Sequence, residues 1–145
     1  KLINEIMEKN DPHKTDALLI LDCDKFKEIN DSHGHLHGDS VIVHIGEALK
    51  STFRKSDIIG RIGGDEFCVY MENVSSRKFV ISKYHQLVKS LKQVSPDSYI
   101  TVSVGAALSD REKSYDDLFK KADAALYIVK DKGGDNLHFY DKKTM

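Results

Sequence analysis

The sequence predicts an α+β fold, a mostly antiparallel central sheet flanked by helices and built on a βαββαβ core. Three observations carry this. The run Ala17 to Leu21 is continuously apolar and of strand length, which suits a central strand buried on both faces. Alternating residues on both sides of Gly63-Gly64 read as a hairpin, Asp57 to Ile62 and Glu66 to Met71. Its tight turn is Gly-Gly because glycine takes a positive φ there without strain. Around these strands, apolar residues recur at helical spacing.

Leu2, Ile3, Ile6 and Met7 mark one side of a first helix ending before Asn10-Asp11-Pro12. The apolar strand follows and stops abruptly at Asp22. Asp24 reads as the N-cap of a short helix, Lys25 to Asp31. A polar, turn-rich loop covers Asn30 to Asp39, and a helix from about Asp39 to Phe53 turns Ile42, Ile45, Leu49 and Phe53 inward. After the hairpin, Ser75 to Leu91 forms an amphipathic helix with Pro96 beyond its end, and Tyr99 to Leu108 alternates as a strand. Leu118, Ala122, Ala125 and Val129 stripe a last helix closed by Gly133-Gly134, and Leu137 to Tyr140 is a short final strand. In a ferredoxin-like arrangement of these elements the first strand lies beside the hairpin. That brings Asp22 next to Asp65 and Glu66.

With 145 residues the chain, 1–145, is expected to be one domain with a single core. No apolar run is long enough to span a bilayer. Lys and Arg number 22 against 23 Asp and Glu, so no bulk charge draws the chain to a nucleic acid polymer or an anionic membrane. Any phosphate binding must be local. Cys23 and Cys68 sit in apolar strand-like runs and read as reduced, buried residues, which points to the cytoplasm. The chain opens at Lys1, without an initiator Met, directly onto a helical stretch. It reads as a piece of a longer signalling protein, a cytoplasmic one or the cytoplasmic part of a membrane-anchored one.

The hairpin presents two carboxylates, Asp65 and Glu66, at its tip. Crowding them is costly unless something positive lies between, and a hard divalent cation carrying a phosphate is the usual solution. Read alone, they are equally well polar turn residues facing water. Asp22, at the exit of a buried strand, is the third acid of such a site. The first turn of the next helix leaves the N–H groups of Lys25 and Phe26 unpaired for phosphate, with Lys27 adding charge. Asn30 and Asp39 offer an amide and a carboxylate that together read the edge of a purine base. His33, His35 and His37 alternate and invite a zinc site. Gly34 and Gly38 break any strand that would align them, and no cysteine or acid has the usual spacing.

These residues resemble the GGDEF domain of bacterial diguanylate cyclases. The likeness runs through Leu21-Asp22-Cys23-Asp24-Lys25-Phe26-Lys27, Asn30-Asp31, Gly34-His35, Gly38-Asp39, Arg61-Ile62-Gly63-Gly64-Asp65-Glu66-Phe67, Ser103-Val104-Gly105, Ala122-Asp123 and Ala125-Leu126-Tyr127. It implies a fold related to the palm of nucleotidyl cyclases and polymerases. It also implies that two GTP condense to cyclic di-GMP with release of two pyrophosphates, each domain holding one GTP and two domains meeting through their active-site faces. Asp22, Asp65 and the main-chain carbonyl of Cys23 match the ligands of Mg²⁺, for which Mn²⁺ is the usual substitute. Glu66 matches an acid that binds a second metal or activates the 3′-hydroxyl, so Asp22, Asp65 and Glu66 form the catalytic set. Asn30 and Asp39 match the guanine-reading pair, and Lys27 and Lys130 the lysines on the triphosphate. Lys25, Phe26, Gly63 and Gly64 complete the substrate-binding residues. Arg54 and Asp57 match an inhibitory Arg-x-x-Asp site that binds the product.

Two departures stand out. The Gly-Arg-Asn usual after the phosphate lysine aligns with Gly133-Gly134-Asp135, so a phosphate-binding arginine is missing. The family's Asp-x-Leu-Thr-Gly-Leu-x-Asn-Arg segment and helical stalk would precede Lys1, and without them a monomer, or a dimer held by ligand, is expected. The alternative to catalysis is a non-catalytic module sensing cyclic di-GMP or GTP.

Overall fold

The computed structural model describes residues 2–3, 15–94, 100–109 and 114–141. Along them run β1 (Ala17–Cys23), α1 (Phe26–His33), α2 (His35–Thr52), β2 (Ile58–Arg61), β3 (Glu66–Met71), α3 (Arg77–Val94), β4 (Val102–Leu108), α4 (Tyr115–Asp131) and β5 (Leu137–Phe139). The sheet order is β2-β3-β1-β4-β5. The β2–β3, β3–β1 and β1–β4 pairs are antiparallel, while β5 joins β4 in parallel after the crossover through α4. This is the βαββαβ core with the first strand between the hairpin and β4. Of the expected first helix, Leu2 and Ile3 are helical; its remainder, Pro96 and Tyr99 lie outside the described residues.

All seven residues of β1 are buried, as its unbroken apolar run requires. Side chains alternate across a strand. Ala17, Leu19, Leu21 and Cys23 pack with Val41, Ile45 and Leu49 of α2 and Val80, Leu87 and Leu91 of α3. Leu18 and Ile20 pack on the other face with Leu118, Ala122 and Leu126 of α4. Asp22 is the next position in that second series, so parity directs it toward α4. Cys23 and Cys68 are free and belong to the two different faces, which forbids a bridge between them.

The local starts of the helices differ from expectation. Asp24 does not cap α1. Lys25 is the cap residue, in the left-handed region at φ 56°, and no side chain caps the helix. The Asp24 carboxylate instead accepts donors from elsewhere in the chain, described below. α2 begins at His35 because Gly34, at φ 86°, already turns the chain between the two helices. The histidines therefore lie on helix ends, with the His33 and His37 rings 4.9 Å apart.

The hairpin turn also differs. Gly63 and Gly64 are not among the described residues of positive φ, because the connection is a wider loop rather than a two-residue turn. The N–H groups of Ile62 and Gly63 both donate to the Glu66 carbonyl, at 2.8 and 3.3 Å. Arg61 folds back, its Nε and Nη2 donating to the carbonyls of Gly63 and Gly64 at 3.1 and 2.7 Å. What the glycines provide is an open surface: a Cβ on Gly64 would meet nothing within 4 Å.

Gly105 serves packing. A Cβ there would lie 2.2 Å from the Ala122 carbonyl oxygen and 2.3 Å from the Leu126 nitrogen. α4 thus rests directly on β4, and backbone cannot step aside as a side chain can. Gly105→Ala is expected to cost about 3 kcal/mol or more in chemical denaturation, at the upper end for overpacking. A loss below about 0.5 kcal/mol would show that α4 is not seated this closely.

Candidate active site

Strand pairing assembles the acids. Asp22 stands opposite Glu66 on β3 and opposite Ser103 on β4. The backbone N–H of Cys23 donates to the Asp65 carbonyl at 3.1 Å, extending the β1–β3 contact into the hairpin loop. From the other side of the strand, α4 delivers Lys130, whose Nζ donates to Asp22 Oδ2. Lys130 is two i,i+4 steps beyond Ala122, so the seat on Gly105 sets its reach.

The charges are concentrated and partly unanswered. Burial first, then contact with the Asp22 carboxylate, pushes the Asp65 carboxyl up to about 6. Glu66 is raised by burial and by the charges of Asp22 and Asp123. Burial works against the Lys130 ammonium, but its bond to Asp22 and the neighbouring acids outweigh that and raise it. The Cys23 thiol is held up to about 12 by burial and by Asp65, Asp24 and Asp22, so it is no thiolate ligand. Asp22 Oδ1 is buried and has no hydrogen-bond donor.

Among the described residues, no group of three His, Cys, Asp or Glu side chains is gathered closely enough to hold an ion alone. The three-acid cluster expected from sequence is here a tight pair, Asp22 with Asp65, with Glu66 as a neighbour. Lys130 occupies the space beside Asp22.

A cleft of about 440 Å³ opens over this pair, lined by Asp22, Cys23, Asp24, Lys25, Phe26, Lys27, Asp65, Lys130, Gly133 and Gly134. Because α1 starts at Phe26, the first-turn N–H groups without helical partners are those of Phe26, Lys27 and Glu28, one residue later than expected. Asn30 and Asp39 are outside this cleft, at the junction of α1 and α2. The Asn30 amide rests on Gly38: a Cβ there would fall 1.7 Å from Asn30 Oδ1. That oxygen is buried without a donor, and Asp39 beside it is exposed. Arg54 and Asp57 lie at the far end of the hairpin. Arg54 donates to Asp57 through its backbone N–H at 2.8 Å and its Nη2 at 2.8 Å, and to the Glu72 carbonyl at 2.8 Å. Its guanidinium sits 5.2 Å from the Phe79 ring centroid.

Sequence reasoning missed Gly38 and Gly105 as seats, the Asp22–Lys130 pair, Asp123 beside Glu66, and the true partners of Asp24. None of these carries a local signal: Gly38 reads as one more turn glycine of the Asn30 to Asp39 loop, and its place inside α2 is seen only in the fold.

A family model described as "Diguanylate cyclase, GGDEF domain" matches residues 1–136. The chain belongs to the GGDEF-domain family. This GGDEF domain is 40% identical over 126 residues to the probable diguanylate cyclase DgcC of Escherichia coli K12, covering 83% of the chain and 34% of DgcC. It is 33% identical over 129 residues to the diguanylate cyclase DosC of the same organism, covering 86% of the chain and 28% of DosC. The domain thus spans about a third of the length of these curated relatives. It superposes on the GGDEF domain of YfiN, also called TpbB, from Pseudomonas aeruginosa with a TM-score of 0.86 at 29% identity, covering 95% of this chain and 90% of that one. For the GGDEF domain of DgcB from Caulobacter crescentus in complex with c-di-GMP, the TM-score is 0.82 at 27% identity, covering 93% and 83%.

The raised Asp65 carboxyl gives a signed expectation. A carboxyl whose folded pKa exceeds its unfolded value favours the fold only while protonated, and that contribution is lost as pH rises through the folded pKa. Without divalent cation, Asp65→Asn therefore melts with the unsubstituted domain below pH 3.8. It becomes the more stable form as pH climbs through about 6. Thermal melts across that window check this; parallel curves would mean that neither burial nor the Asp22 charge raises the Asp65 carboxyl.

Proposed function

We propose that this GGDEF domain is one half of a diguanylate cyclase that joins two GTP into cyclic di-GMP and releases two pyrophosphates. The observation that carries the reading is the Asp22–Asp65 pair, its buried Asp22 oxygen lacking a donor, beside an uncapped helix start in the same cleft. Two touching carboxylates with one lysine leave a charge deficit that suits a hard divalent cation. Asp22, Asp65, Glu66 and the Cys23 carbonyl would hold Mg²⁺, or Mn²⁺ in its place. Bound there, divalent cation would supply charge neutralisation for the phosphates and for the attacking and leaving oxygens.

The chain's own residues do the rest. First-turn N–H groups of α1 with Lys27 receive phosphate oxygens at a helix N-terminus. With a cation held at the pair, Lys130 would be free to leave Asp22 and reach the triphosphate. Asp39 accepts the N1 and N2 donors of guanine, a pair adenine lacks, and Asn30 supplies the adjacent amide. Glu66, opposite Asp22 on β3, is the acid placed to take the 3′-hydroxyl proton. The 3′-oxygen attacks the α-phosphate held by a second domain, in line with the departing pyrophosphate, so two half-sites must meet. Arg54, already oriented by Asp57 and Phe79, binds the phosphate and guanine of the product and inhibits. No helix among the described residues is long and apolar enough to cross a membrane; the proposed setting is the cytoplasm.

Incubation of the domain with GTP and Mg²⁺ tests this. Cyclic di-GMP should form at a rate rising faster than linearly with protein. It should fall about a hundredfold or more in Asp65→Ala. In Arg54→Ala, turnover should persist while added product no longer slows it. If no product forms even when a coiled coil dimerises the domain, and cyclic di-GMP still binds through Arg54, the domain is a sensing module, the reading that Gly134 in place of arginine favours.

A further inference from the structure

The Asp24 carboxylate joins three segments of chain. Its Oδ2 accepts from the Thr101 hydroxyl at 2.6 Å and from the Asp135 backbone N–H at 2.9 Å, and its Oδ1 accepts from the Ser103 hydroxyl. Its own backbone N–H donates to the Thr101 carbonyl at 3.0 Å. One side chain thus ties the β1–α1 turn to the entry of β4 and to the loop leaving α4. Three donors converge on this one carboxyl group.

That loop walls the cleft. Gly133 and Gly134 line it beside Lys130, and their N–H groups close back on the Lys130 and Val129 carbonyls at 3.1 and 2.9 Å. Gly134 has φ 81°, and a Cβ on it would lie 2.8 Å from Asp24 Oδ1 and 3.1 Å from Ser103 Oγ. The conformation and the space both demand glycine.

We propose that Asp24 is a positioning residue for the triphosphate. It pins the 133–135 loop to the β1–α1 turn, fixes the helix end that carries Lys130, and imposes glycine at 134. The arginine that the family resemblance leads one to expect at 134 therefore has no room while this tie is intact, and the phosphate wall of this chain is backbone and lysine. The inference rests on the GTP reading. A mere structural tie would lower stability without regard to the ligand, whereas a positioning tie acts in proportion to the phosphates bound.

The test is calorimetric binding of GTP, GDP and GMP, with Mg²⁺, to the folded domain and to Asp24→Ala and Asp24→Asn, with melting temperatures recorded alongside. Asp24→Ala should cut the preference for GTP over GMP at least tenfold and leave GMP affinity within twofold, with Asp24→Asn intermediate. Gly134→Ala keeps Asp24 but forces the loop off it, and should show the same selective loss even if Asp24→Ala does not fold. An unchanged GTP-to-GMP ratio in these variants, or equal loss for all three nucleotides, overturns the role of Asp24 while the GTP reading stands. An unsubstituted domain with no preference for GTP overturns both.

Discussion

Everything near the cleft answers one constraint: two carboxylates, Asp22 and Asp65, are held together at the end of a buried strand. β1 cannot shift to relieve them, because a one-residue slip would turn its whole apolar set to the wrong faces. Burial and the Asp22 charge together raise the Asp65 carboxyl, and Lys130 is drawn onto Asp22. Lys130 is in reach only because α4 lies directly on Gly105, two residues along β4 from the register partner of Asp22. Core packing and site electrostatics are therefore one arrangement. The same concentration of charge is what the proposed cation with its phosphate would answer.

The hairpin relates two ends of the molecule. Its loop carries Asp65, and its base carries Arg54, bonded to Asp57 and to the Glu72 carbonyl just past β3. A ligand taken by Arg54 would press on the hairpin, whose β3 strand pairs with β1 and so sets Asp22 against Glu66. Under the proposed cyclase reading, that is a physical route from a ligand at Arg54 to the candidate acids, although Arg54 and Asp65 do not touch.

Much of this was legible in the sequence because it depends on periodicity. The unbroken Ala17 to Leu21 run identified the central strand, and alternation about Gly63-Gly64 identified the hairpin. Together they placed Asp22 beside Asp65 and Glu66. What stayed hidden depends on contacts between distant segments. Asp24 looks like a helix cap because the competing donors, Thr101, Ser103 and Asp135, are far away in sequence. The turn glycines suggest positive φ, yet Arg61 holds the loop by its carbonyls and a wider turn results. Gly38 and Gly105 read as loop and strand glycines until Asn30 and α4 are seen resting on them.

The central claim is that the Asp22–Asp65 pair holds a divalent cation in the place Lys130 now neutralises. Titration with Mn²⁺ in the presence of a non-hydrolysable GTP analogue, followed by paramagnetic broadening of backbone resonances, tests it directly. The cation assignment predicts broadening centred on Asp22, Cys23, Asp65 and Glu66, with the Lys130 side-chain signals shifting as that amine leaves Asp22. Broadening centred instead on His33 and His37, or no site-specific broadening with the analogue bound, would contradict it.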